Sequence, residues 1–86
     1  MEVSTEFLGL IRNSRGQLSD NELREIQEFV EGRDFNLALE TLCGFLIDRN
    51  RKVTYDLFVR IHGLSERLDG VDPYLVESVR AIVIED

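Results

Sequence analysis

Apolar positions recur at steps of three and four along five stretches of the chain, each bounded by residues that start or stop helices. The densest stretch runs from Asp34 to Ile47, where Phe35, Ala38, Leu39, Leu42, Cys43, Leu46 and Ile47 line one face. At about 100° per residue that face takes up roughly half of the circumference. A helix over 35–48 must therefore touch more than one neighbour, which predicts a central position. Asp34 stands where an N-cap carboxylate accepts from an early backbone N–H, and Gly32 where a preceding helix closes in a left-handed turn.

On either side the pattern repeats with its own punctuation. Phe7, Leu8, Leu10 and Ile11 predict a helix over 4–13 with Ser4 or Thr5 as its cap, followed by a turn at Asn13-Ser14-Arg15-Gly16 in which Gly16 supplies the permissive backbone angles. Ser19 and Glu22 form a capping box for a helix over 20–31, with Leu18 placed to staple onto Leu23. Its inner face is Leu23, Ile26, Phe29 and Val30. After a polar connector, Asp48-Arg49-Asn50-Arg51-Lys52, Thr54 caps a helix over 55–68, and Val53 and Phe58 are placed for a second staple. That helix carries Leu57, Phe58, Ile61, Leu64 and Leu68 inward and ends at Asp69-Gly70.

Asp72-Pro73 starts a last helix over 73–83 with Leu75, Val76, Val79, Ile82 and Val83 inward. Its β-branched end, Val79 to Ile84, fits an extended segment as well as a helix. The whole reads as an all-α fold: one small domain over 1–86, a bundle of five helices made of two packed helical hairpins and an N-terminal helix.

Composition narrows the class without naming a reaction. Hydrophobic residues make up 43% and charged residues 31%, the balance of a soluble globular domain. Apolar runs no longer than four residues exclude a membrane-spanning helix, and the N-terminus has no basic-then-apolar leader, so a cytoplasmic location is expected. The single Cys43 lies on the apolar stripe, where it reads as a buried thiol with no disulfide or metal-site partner. No cofactor is expected.

Net charge is −7, and it is unevenly placed: residues 20–40 hold seven acids against two arginines. An excess of that sign repels phosphate backbones and favours a positively charged protein partner over direct nucleic-acid binding. Glu25, Glu28, Glu31, Asp34 and Glu40 are the candidate contacts, unless the face is simply solvated. A second stripe, Tyr55, Val59, His62 and Glu66, either packs beneath the first helix or is exposed as an aromatic anchor, with Tyr55 and His62 as the candidates. Tyr74 and Ile84 leave the outer side of the last helix bare, which suits a homodimer or an adaptor module.

Catalytic parts are missing from the sequence. His62 is the only histidine, and Glu66 one turn away gives the spacing of an ordinary surface pair. There is no cysteine pair, no glycine-rich phosphate loop and no H-E-x-x-H. Glu22, Glu25 and Glu28 turn progressively around their helix instead of converging on an ion.

Residues 18–68 resemble the MafI-type immunity proteins of bacterial polymorphic toxin systems. The likeness lies in the acidic helix ending at Gly32, the stretch Phe35-Asn36-Leu37-Ala38-Leu39-Glu40-Thr41-Leu42, and the later Val53-Thr54-x-x-x-Phe58-x-x-Ile61. Arg33 is a departure, since the family usually has an acid directly after the glycine, whereas here Arg33 comes before Asp34. The resemblance implies a non-enzymatic helical protein that binds the C-terminal domain of its cognate secreted or cell-contact toxin, often an RNase of EndoU or related type. An acidic helical wedge suits the basic groove that such a nuclease needs.

Overall fold

The inner faces of five helices enclose one core in a computed structural model that describes residues 2–49 and 51–84. The helices are α1 (Val3–Ser14), α2 (Asp20–Glu31), α3 (Phe35–Asp48), α4 (Tyr55–Arg67) and α5 (Pro73–Arg80). Two short strands, β1 (Val53–Thr54) and β2 (Val83–Ile84), pair in parallel with Val53 opposite Val83 and Thr54 opposite Ile84. The helices close into a ring: α1 packs on α2, α2 on α3, α3 on α5, α5 on α4 and α4 back on α1. The expected hairpins are α2–α3 and α4–α5, and α3 does touch two neighbours.

Phe7, Leu10, Ile26, Leu39, Leu42, Leu46, Leu57, Ile61 and Val79 are almost wholly removed from water at the ring's centre. Burial of a Leu or Phe side chain contributes about 1.5–3 kcal/mol, so this set outweighs any surface pair in the molecule. Phe7 stacks on Phe35 at a centroid separation of 5.9 Å, tying the start of α3 to α1. Ser14, buried in the last turn of α1, donates its hydroxyl to the carbonyl of Leu10 at 2.8 Å. Gln17 Oε1 is buried without a hydrogen-bond partner.

Three start signals behave as the sequence predicts. Ser19 Oγ accepts from Glu22 N, and Glu22 Oε1 in turn accepts from Ser19 N. Thr54 Oγ1 accepts from Leu57 N, and Asp72 Oδ1 from Tyr74 N ahead of Pro73. Two others differ. The N-cap of α1 is Glu2, with no side-chain cap bond, so neither Ser4 nor Thr5 caps it. Asp34 precedes α3 at ψ 65°, outside the extended region that capping needs, and its side chain makes no cap bond.

The left-handed residue at the end of α2 is Arg33, at φ 62°, while Gly32 sits at φ −80°. Gly70, at φ 92°, is the glycine among the described residues with positive φ; Gly16 does not use that freedom. The last helix stops at Arg80, three residues before its expected end, because Val83 and Ile84 find a strand partner in the buried Val53 and its neighbour Thr54. Among the described residues no helix is long and apolar enough to cross a membrane.

Candidate protein-interaction surface

The α2 face opposite Leu23, Ile26 and Val30 carries Glu25, Glu28 and Glu31, all exposed, with Arg24 among them. None of the ion pairs among the described residues involves these three carboxylates. Glu22 has a different fate. It lies on the flank of α2, where Arg51 reaches across with Nη1 3.0 Å from Oε1 and Nη2 3.2 Å from Oε2. Arg51 also donates to the carbonyl of Gln17, so one guanidinium pins the connector after α3 onto the start of α2. The backbone N–H of Ser19, and behind it the Arg51 guanidinium, hold the Glu22 carboxyl below its ordinary value. The charge of Glu22 is thus spent internally, and the sequence offered no signal for this pair across 29 residues.

Asp34 is exposed in the α2–α3 turn, where its backbone N–H bonds the Phe29 carbonyl at 2.9 Å. Beside it the Arg33 guanidinium lies 5.3 Å from the centroid of the Phe35 ring. Glu40 is half-buried on α3, one turn beyond Asn36, whose Nδ2 donates to the Asp69 carbonyl at 2.6 Å. That flank looks toward the α4–α5 turn rather than toward α2. Burial, and secondarily the charge of Glu40, push the Cys43 thiol up to about 12. The five acidic candidates therefore divide: Glu25, Glu28 and Glu31 share a face, Asp34 stands at its end, and Glu40 points away.

The second stripe is outward-facing. Tyr55 is 68% exposed and Val59 45%, while His62 Nδ1 lies 3.4 Å from Glu66 Oε1 in open solvent. Tyr55 and Phe58 are 6.5 Å apart by ring centroid, and Phe58 and His62 5.9 Å, so Phe58 completes an aromatic ladder along α4. α1 packs on a different flank of α4, that of Arg60, Gly63 and Arg67. Because α1 stands between α2 and α4 in the ring, Tyr55 and His62 present to another side of the molecule than Glu25, Glu28 and Glu31.

A cleft of about 450 Å³ runs between α1 and α4 over Gly9, Gly63 and Leu64. Its charges answer one another: Arg67 pairs with Glu6, and Arg60 Nε lies 3.3 Å from Asp56. Among the ion pairs of the described residues, His62 takes part in one, with Glu66 a turn further along α4. Among the described residues no group of three or more His, Cys, Asp or Glu side chains is placed to hold a metal ion. Compared with family models, curated proteins and solved structures, the chain matches none of them.

Proposed function

We propose that this chain is a cytoplasmic, non-enzymatic immunity protein that binds the basic nuclease domain of a cognate polymorphic toxin, of EndoU or related type, and covers its substrate-binding surface. The observation that carries the reading is the row of exposed carboxylates on α2, Glu25, Glu28 and Glu31, which take part in none of the ion pairs among the described residues. A net charge of −7 adds long-range attraction to a phosphate-binding groove. The resemblance of residues 18–68 to the MafI-type proteins supplies the kind of partner.

The test is to mix the chain with the toxin domain encoded beside its gene and to follow RNA cleavage. Stoichiometric loss of cleavage is expected. Full nuclease activity with the chain present at micromolar concentration would end the proposal. Tyr74, 77% exposed, and Ile84, 40% exposed, favour a second reading, a helical module that self-associates. A chain that stays monomeric in sedimentation at rising concentration removes this second reading, whereas a dimer is compatible with both and leaves the nuclease assay to decide.

A further inference from the structure

A long-lived complex with a basic partner needs attractive charge and a desolvated apolar centre. α2 supplies only the first. The large apolar side chains exposed among the described residues are Leu8, Leu37, Tyr55, Val59, Tyr74 and Ile84, and none belongs to α2. Tyr55 and Val59 lie on α4, and Tyr74 lies on α5, the two helices of the second hairpin.

Between α4 and α5 is a cleft of about 230 Å³ that unites both requirements. Val71, Pro73 and Val76 make its apolar side, and Glu66 and Glu77 bring a carboxylate from each helix. No arginine or lysine lines it. Arg67, next to Glu66, turns to Glu6 on α1, and Arg80, one turn beyond Glu77, lies outside the lining. His62 also lines the cleft, with its Nδ1 3.4 Å from Glu66 Oε1. The volume is several times the roughly 30 Å³ share of one water molecule, enough for one long side chain. Tyr74, three residues before Glu77, flanks the cleft on the exposed side of α5.

We propose that the α4–α5 face is the anchor of the complex and that its cleft receives an arginine side chain of the basic partner. The aliphatic stem lies on Val71, Pro73 and Val76, and the guanidinium meets Glu66 and Glu77. Tyr74 packs at the edge and excludes water, as the tyrosines of interface centres do. The α2 carboxylates then steer the encounter and the α4–α5 face sets its lifetime. This inference rests on the proposed function for its partner, but the cleft can be tested without one.

The full chain, labelled with nitrogen-15, is titrated with N-acetyl-arginine methylamide. Saturable amide shifts are expected at Ser65, Glu66, Val71 and Glu77. They should vanish in the Glu66→Gln/Glu77→Gln double variant, which alters exposed side chains only, and with the norleucine analogue as probe. Absent shifts, or shifts centred on α2, overturn the proposal. Concentration-dependent shifts at Tyr55 and Tyr74 without any probe assign the face to a second copy and overturn it too.

With the nuclease domain, Tyr74→Ala and Glu77→Gln should each speed dissociation by about 10-fold or more. A complex that forms with unchanged dissociation rates removes the anchor and leaves the proposed function standing. If the wild-type chain does not bind the nuclease domain, the proposed function fails, and the arginine titration alone decides the cleft.

Discussion

Arg33 shows how one residue can carry a cost that its sequence hides. The end of α2 is a Schellman motif, with Arg33 N bonded to Val30 O at 3.0 Å and Asp34 N to Phe29 O at 2.9 Å. Its left-handed position falls on an arginine although a glycine stands directly before it, so the glycine signal was legible and its register was not. A side chain in that conformation costs about 1–2 kcal/mol, and the stacking of the guanidinium on Phe35 returns about 0.5–1 kcal/mol at an exposed site. Arg33→Gly and Arg33→Ala both lose the stacking, yet only the first removes the strain. We expect Arg33→Gly to exceed Arg33→Ala in stability by about 1 kcal/mol in urea unfolding; equal midpoints would mean that residue 33 is not left-handed. Gly32→Ala, by contrast, should be neutral or slightly stabilising, since a Cβ there meets nothing closer than Glu28 O at 3.5 Å. Cys43 makes the other residue-scale prediction. Its thiol is raised from an ordinary 9.0 to about 12, chiefly by burial, so it is neutral at pH 7 and should resist alkylation until the chain unfolds. A thiol pKa raised by folding stabilises the native state fully below pH 9, and that contribution is lost as pH climbs toward 12. Cys43→Ser should therefore flatten the alkaline limb of stability against pH while lowering stability at neutral pH.

At the scale of elements, the legible parts were those whose physics is local. A cap joins residues three apart, and Ser19, Thr54 and Asp72 were readable for that reason, as were four of the five helix spans to within a residue. Strand pairing joins residues 30 apart, and nothing near Val83 announces that Val53 waits beside it. Asp34 failed as a cap because the Schellman turn before it claims its N–H and sets its backbone away from the extended region. Arg51 is the same lesson in charge: the segment after α3 reads only as a polar connector, yet its Arg51 closes the start of α2. Ser19→Ala should cost about 1 kcal/mol through the lost cap. Arg51→Ala should cost about 2 kcal/mol, because it leaves Glu22 and the Gln17 carbonyl without their charged donor in a part-buried setting. The two losses share Glu22, so the double variant should fall short of their sum in chemical denaturation. With the Glu22 pKa lowered by folding, its contribution is present above the ordinary carboxylate range and is lost as pH falls through the folded value. The stability gap between wild type and Glu22→Gln should accordingly narrow in acid; a gap constant from pH 7 to pH 3 would mean that the carboxylate is not the partner Arg51 holds.

For the whole molecule, the decisive unknown in the sequence was which surfaces share a side, because that depends on how the ring of helices closes. Periodicity assigns each residue to a face of its own helix and says nothing about the neighbour that covers it, so the acidic row and the aromatic stripe have no placement relative to each other in the sequence. The ring separates them, with α1 between α2 and α4. That separation makes a kinetic prediction for the complex proposed above. Glu25 and Glu28 are exposed and take part in no ion pair among the described residues, so Glu25→Lys/Glu28→Lys should leave folding intact, with an unfolding midpoint near that of wild type. It changes the net charge by +4 on the face proposed to meet the basic partner first. Steering acts over the Debye length, about 10 Å at 0.1 M salt and about 3 Å at 1 M. Association should therefore slow by about 10-fold or more at low salt and converge on the wild-type rate at high salt, while dissociation stays within about two-fold. Stopped-flow mixing with the nuclease domain at several salt concentrations measures both. An association rate unmoved at low salt would place the steering charge elsewhere, and a large rise in dissociation would mean that α2 lies in the desolvated centre after all.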